Sequence, residues 1–96
     1  MRAFVLAAVL ALAAPAVAQT PANSLTLADA STAPAGRTII DGAGWTCEGA
    51  TCTATGGANQ PAARACRRVV ARVGKVTAFT WKGQVLSAEQ LATCNA

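Results

Sequence analysis

The chain has no histidine and no tyrosine, only four acidic residues, and aromatic side chains at only 4%. Each shortage removes a class of function. Without histidine there is no ordinary Ser-His or Cys-His pair for nucleophilic catalysis. No two cysteines are spaced as Cys-x-x-Cys, which removes the zinc-ribbon knuckle, the thioredoxin-type redox pair and the haem attachment site. The acids Asp29, Asp41, Glu48 and Glu89 show no spacing that calls for a paired-carboxylate site. Gly56-Gly57 is not followed by Lys-Ser/Thr, so it is a loop signal and not a phosphate loop. The expectation is a protein without catalytic residues, metal or cofactor. Large core-forming side chains are also scarce, and a chain of 96 residues is marginal on apolar burial alone.

The chain does hold one apolar run, at its start. Met1-Arg2 is a short basic beginning, Ala3 to Ala14 is apolar, and Ala16-Val17-Ala18 has the Ala-x-Ala form of a cleavage site. This predicts a signal peptide over residues 1–18, cleaved after Ala18, and a periplasmic or secreted mature chain starting at Gln19. No later stretch is long and apolar enough to span a bilayer as a helix. Cleavage removes Arg2 from a net charge of +4, so the mature chain stays mildly basic. Residues 19–36 are rich in Ala, Thr, Ser and Pro and read as a flexible N-terminal arm, in which Ser24 to Leu27 alternates weakly enough to dock as an edge strand. Residues 37–96 form the expected domain.

Within that domain, Pro61 to Gly74 is a helix with proline at its start and glycine at its end. Ala62, Cys66, Val69, Val70 and Val73 recur at helical spacing on one face, and Arg64, Arg67, Arg68 and Arg72 occupy the other. Trp45 to Ala54 reads as a hairpin around Gly49-Ala50, a type II′ turn. That register makes Glu48 and Thr51 the pair beside the turn and Cys47 and Cys52 the next, non-hydrogen-bonded pair, with Cα atoms about 4.5 Å apart. Lys75 to Trp81 is β-prone, with Thr77, Phe79 and Trp81 on one side and Val76, Ala78 and Thr80 on the other. Trp45, Phe79 and Trp81 read as core, Trp81 being the most exposed of the three because it borders the Lys82-Gly83 turn. Ser87 to Gln90 is a capping box that opens a short helix carrying Leu91 and Cys94 on one face. The order hairpin, helix, strand, helix predicts a small α+β domain, an antiparallel sheet packed on one amphipathic helix and a short C-terminal helix.

An even cysteine count in an exported chain reads as disulfides. With Cys47 facing Cys52, the remaining Cys66 and Cys94 lie on the buried sides of their helices. Of the three connectivities open to four cysteines, Cys47–Cys52 with Cys66–Cys94 has the most local support.

The residues Trp45-Thr46-Cys47-Glu48-Gly49, Cys52, Cys66, Val73-Gly74, Phe79, Gly83, Leu86, Leu91 and Cys94-Asn95 resemble a family of small exported proteins from Gram-negative bacteria. Its pattern is a Trp-x-Cys-x-Gly-x-x-Cys hairpin and a closing Leu-x-x-Cys-Asn. The resemblance covers residues 37 to 95. It implies an extracytoplasmic location and two disulfides, and it carries no catalytic residue and no assigned function.

The arginine face is the one functional hint. Arg64, Arg67, Arg68 and Arg72, with Lys75 beyond, suit an anionic envelope component or an acidic protein, the bland alternative being a solvated helix face. Nucleic acid is not expected, since export separates the chain from it and no row of aromatics accompanies the charge. Arg64–Arg68 and Arg68–Arg72 are like-charge pairs at i,i+4, each costing a few tenths of a kcal/mol unless Asp41, Glu48 or Glu89 reaches across. On that basis Arg68→Glu is expected to abolish binding to anionic surfaces and to leave stability equal or improved. The functional expectation is a monomeric, non-catalytic binding or envelope-associated module. The alternative is a secreted inhibitor of a hydrolase.

Overall fold

A computed structural model describes residues 22–96. The signal-peptide reading falls on residues outside this range. The strands are β1 (Asn23–Leu27), β2 (Thr38–Ile40), β3 (Ala43–Glu48), β4 (Thr51–Gly56), β5 (Val76–Trp81) and β6 (Gln84–Val85). The helices are α1 (Ala62–Val73) and α2 (Ala88–Asn95), with a short 3₁₀ turn at Ala30–Thr32. All six strands form one antiparallel sheet in the order β2-β3-β4-β1-β5-β6. Both helices pack on one side of it, so the α+β class read from the sequence is the class observed.

The β3–β4 hairpin has the expected register: Glu48 faces Thr51 and Cys47 faces Cys52. Gly49 has φ +63 while Ala50 keeps a negative φ, as a type II′ turn requires. The facing cysteines are bonded, with Cα atoms 4.0 Å apart. The second disulfide joins Cys66 of α1 to Cys94 of α2. Helix α1 is closed by Gly74, whose φ of +101 ends the helix and whose N–H donates to the Val70 carbonyl. Its buried side is Ala62, Ala65, Cys66, Val69 and Val73, with Val70 only half-buried.

Two placements differ from the sequence reading. The segment assigned to a flexible arm contains β1, which is a central strand and not an edge. It pairs with β4 on one side and β5 on the other, and it buries Leu25 and Leu27 on the helix-facing side. Residues 28–32 lie against the domain as well: the Ala28 N–H donates to the Lys75 carbonyl, and Thr32 stands beside Gly74. The second difference is in β5. Thr26 pairs with Ala78 but Leu27 pairs with Val76, so Thr77 is an extra, bulged residue. The bulge shifts the alternation and puts Val76 on the same buried face as Phe79 and Trp81.

Trp81 is buried, not the exposed aromatic expected from its place beside a turn. Trp45 lies in a cross-strand row with Ala54 and Asn23, and Trp81 stands on the far side of Asn23. The small side chains of that row let the two indoles lean together, with centroids 6.5 Å apart, and Phe79 stacks on Trp81 and lies tilted against Trp45. The Gly57 backbone closes over the Trp81 ring, so closely that a Cβ there would collide with it. Asn23 is buried but satisfied: its Nδ2 donates to the Gly56 carbonyl and its Oδ1 accepts from the Lys82 N–H. Helix α2 starts at the expected capping box, Ser87 with Gln90. It is fastened at its other end by Asn95, whose side chain accepts from the Val76 N–H and donates to the Val76 carbonyl.

Candidate anion-binding face

The site is the outer side of α1. Burial of Cys66, Val69 and Val73 against the sheet fixes the helix rotation, and the 3.6-residue period then leaves Arg64, Arg67, Arg68 and Arg72 exposed. Arg64, Arg67, Arg68 and Ala71 fall at i, i+3, i+4 and i+7 and surround one open depression. Ala71, with its single methyl group, is the one short side chain of the four.

One of these arginines is held in place. Asp41 and Gly42 form the two-residue turn between β2 and β3, and both have positive φ, +50 and +83. That conformation suits Asp-Gly and aims the Asp41 carboxylate toward α1. Arg68 Nε donates to Asp41 Oδ2 at 2.9 Å and Arg68 Nη2 donates to Oδ1 at 2.9 Å, a bidentate pair. Gln60 Nε2 donates to the same carboxylate at 3.1 Å, and the Asp41 carbonyl accepts from the Ala58 N–H. The Arg68 hydrogen bonds, then that of Gln60, hold the Asp41 carboxyl below its ordinary range, and Asp41 in turn raises Arg68.

This pair changes the expectation for Arg68. The charge at the centre of the stripe is compensated by Asp41, so the i,i+4 repulsion is relieved within the fold. Arg68→Glu would set a second carboxylate beside Asp41 and is therefore destabilising, where the sequence suggested a neutral or favourable effect. Among the described residues Arg68–Asp41 is the one ion pair, which leaves Arg64, Arg67 and Arg72 without a carboxylate partner. Sequence reasoning named all four arginines and counted Asp41 with Glu48 and Glu89 among the acids that could reach across to them, but it did not single out Asp41, and it missed Gln60. The Asp-Gly turn signal, read together with the gap in acid residues along α1, was the available clue.

The other carboxylates stand apart. Asp29 accepts from the backbone and hydroxyl of Ser31, which lowers its own carboxyl. Glu48 lies on the outer face of the hairpin and Glu89 in the first turn of α2. Among the described residues no three His, Cys, Asp or Glu side chains gather where a metal could be held, and all four cysteines are in disulfides. No described helix is long and apolar enough to cross a membrane. The two disulfides point to an oxidising environment, extracellular or periplasmic.

A second polar surface extends the polar side of the β3–β4 hairpin across β1 and β5. The sheet face away from the helices carries Thr46, Thr53, Ser24 and Thr80 in cross-strand register. At its β2 end the Arg37 guanidinium lies flat against Gly44, which has no side chain to displace it. This face has no exposed aromatic ring and little charge, and threonine there is explained by its strand propensity.

No curated protein and no solved structure matches the chain. A family model does match it, over residues 7–96, and the chain therefore belongs to a family of unknown function, DUF8200.

Proposed function

We propose that this chain is an exported, non-catalytic binding module that holds an anionic component of the cell envelope on the outer face of α1. The observation that carries this reading is the uneven charge balance of that face. Arg68 is paired directly with Asp41, whose charge Arg64 also feels at longer range, whereas Arg67 and Arg72 are exposed with no carboxylate partner among the described residues. A merely solvated helix of this length ordinarily mixes acids with its bases, which favours the helix by a few tenths of a kcal/mol per pair. Here α1 contains four arginines and no acid. Arginine offers planar, bidentate donors that a lysine cannot, which suits phosphate or carboxylate groups. Two disulfides and a signal-like first 18 residues support export, to the periplasm or beyond it. The absence of histidine and the commitment of every thiol support a non-catalytic role. The reading as a hydrolase inhibitor has less support, because the hairpins end in two-residue turns and project no loop suited to plug a cleft.

The test is co-sedimentation of the mature, oxidised protein with phosphatidylcholine vesicles that contain phosphatidylglycerol, against vesicles of phosphatidylcholine alone. Retention is expected on the anionic vesicles only. It is expected to fade as salt shortens the Debye length from about 10 Å at 0.1 M to about 3 Å at 1 M. The double variant Arg67→Glu, Arg72→Glu spares the Asp41 pair and should not be retained. Equal retention of parent and double variant at low salt would rule out the face.

A further inference from the structure

We infer that the depression over Ala71 is a site for a single phosphate monoester group, and that Asp41 serves to pre-orient Arg68 toward it. The inference rests on the anion-binding reading of α1 and narrows it from a charged surface to a seated group.

Three features carry it. First, the depression is lined by three arginines, Arg64, Arg67 and Arg68, and by one short side chain, Ala71, which leaves room beside them. A phosphate monoester has three terminal oxygens and a charge of about −1.5 to −2 at pH 7, so it can take a donor from each of three arginines. A carboxylate has two oxygens and one charge and would leave one arginine without a partner.

Second, a guanidinium has two bidentate edges. Asp41 occupies the Nε–Nη2 edge of Arg68. The edge through Nη1 makes no hydrogen bond among the described residues, although the side chain is 54% exposed. The carboxylate thus fixes the torsions of a long side chain while leaving its outer edge free. A flexible arginine must lose that freedom on binding, which weakens affinity, whereas Arg68 has already lost it in the folded protein.

Third, Asp41 is itself fixed. Its turn is of the two-residue type with both residues at positive φ, its carbonyl accepts from Ala58, and its carboxylate accepts from Gln60 as well as Arg68. Three constraints therefore hold Asp41, and Asp41 in turn holds Arg68. A solvated surface arginine needs none of these supports.

The ligand chemistry is a terminal phosphate monoester, whether free, on a sugar or on a lipid headgroup. The experiment follows the arginine Nε–Hε signals by NMR while the mature, oxidised protein is titrated with inorganic phosphate and with glucose 6-phosphate, at constant ionic strength maintained with chloride. Both probes are expected to shift Arg64, Arg67 and Arg68 and to leave Arg37 in place. Vesicles containing phosphatidic acid should then compete with glucose 6-phosphate if the group is read on a lipid as well, and fail to compete if only the soluble ester fits.

The decisive variant is Ala71→Leu. It keeps every charge and a good helix former on an exposed position, but it adds bulk to the lining of the depression. Phosphate binding is expected to weaken about tenfold, the factor that corresponds to about 1.4 kcal/mol, while retention on phosphatidylglycerol vesicles persists. Unchanged phosphate binding in Ala71→Leu would overturn the seated site and leave the wider anion-binding reading standing. Loss of vesicle retention in Arg67→Glu, Arg72→Glu tests that wider reading separately. Asp41→Asn removes a negative charge next to the site, so simple electrostatics has it bind phosphate more tightly. Pre-orientation of Arg68 has it bind more weakly, and tighter binding would remove Asp41 from the proposal.

Discussion

Asp41 is a turn residue at φ +50 whose side chain neutralises an arginine on a helix distant in sequence. Its hydrogen bonds depress its carboxyl below the ordinary value of 3.8, Arg68 being the larger cause and Gln60 the next. A carboxyl depressed in the folded state contributes stability above its unfolded value, and that contribution is lost as pH falls through the folded value. The contribution of Asp41 should therefore be constant from neutral pH down to about pH 5 and disappear at lower pH. Urea denaturation of the parent and of Asp41→Asn across this range checks it. The stability gap between them should be flat at the upper end and close below the ordinary carboxyl range. A gap that widens toward acid pH would contradict the pairing. Asparagine is the appropriate replacement because it tolerates the positive φ that alanine would strain. Asp29 is also depressed, by Ser31, so some acid sensitivity remains in the variant.

The elements differ in how the chain closes them, and this decides both their stability and their legibility. The β3–β4 hairpin pairs neighbours: its turn chemistry, alternating faces and facing cysteines lie within a few residues of one another, and each constrains the same register. The register could therefore be read from the sequence. Helix α1 was readable for the same reason, its period and its end signals being local, and so were the four arginines of the candidate site. Strand β1 was readable only as a weakly alternating segment that could dock at an edge, and its central place was not. Asn23 to Leu27 has only two strongly apolar side chains, and what makes it a strand is partners far along the chain, Cys52 on one side and Phe79 on the other. The β5 bulge was hidden likewise, because it is defined by pairing with β1. The Arg68–Asp41 pair depends on α1 packing beside the β2–β3 turn, which no local pattern encodes. The two disulfides close loops of unequal length, at separations of 5 and 28 residues. In the loop-entropy model the shorter is worth about 2 kcal/mol and the longer about 3–4 kcal/mol. Cys66→Ser is therefore expected to lower the denaturation midpoint clearly more than Cys52→Ser, and equal losses in the two variants would show that loop length is not what governs them. Asn95 limits the damage in the first case, since its two hydrogen bonds to Val76 hold the end of α2 independently of the sulfur bridge.

At the scale of the whole molecule, the sheet separates two unlike surfaces, an arginine-bearing helix layer and a threonine-rich open face. Its strand order has a further consequence, concerning time. Strand β1 is the first described strand that synthesis completes, yet it lies between β4 and β5, and β5 ends only at Trp81. Until that residue has emerged, the β2–β3–β4 meander can form by itself while the first-made strand waits without its second neighbour. The closing event is then the insertion of an early segment into a late gap, a non-local step of the kind that slows folding. Pulsed hydrogen exchange during refolding is expected to protect the Cys47–Cys52 hairpin before Leu25 and Leu27. A chain that crosses a membrane as an extended thread from its N-terminus would gain from this arrangement. Its leading strand lacks one of its two neighbours, and the sheet cannot close on either side until nearly all of the domain has arrived on one.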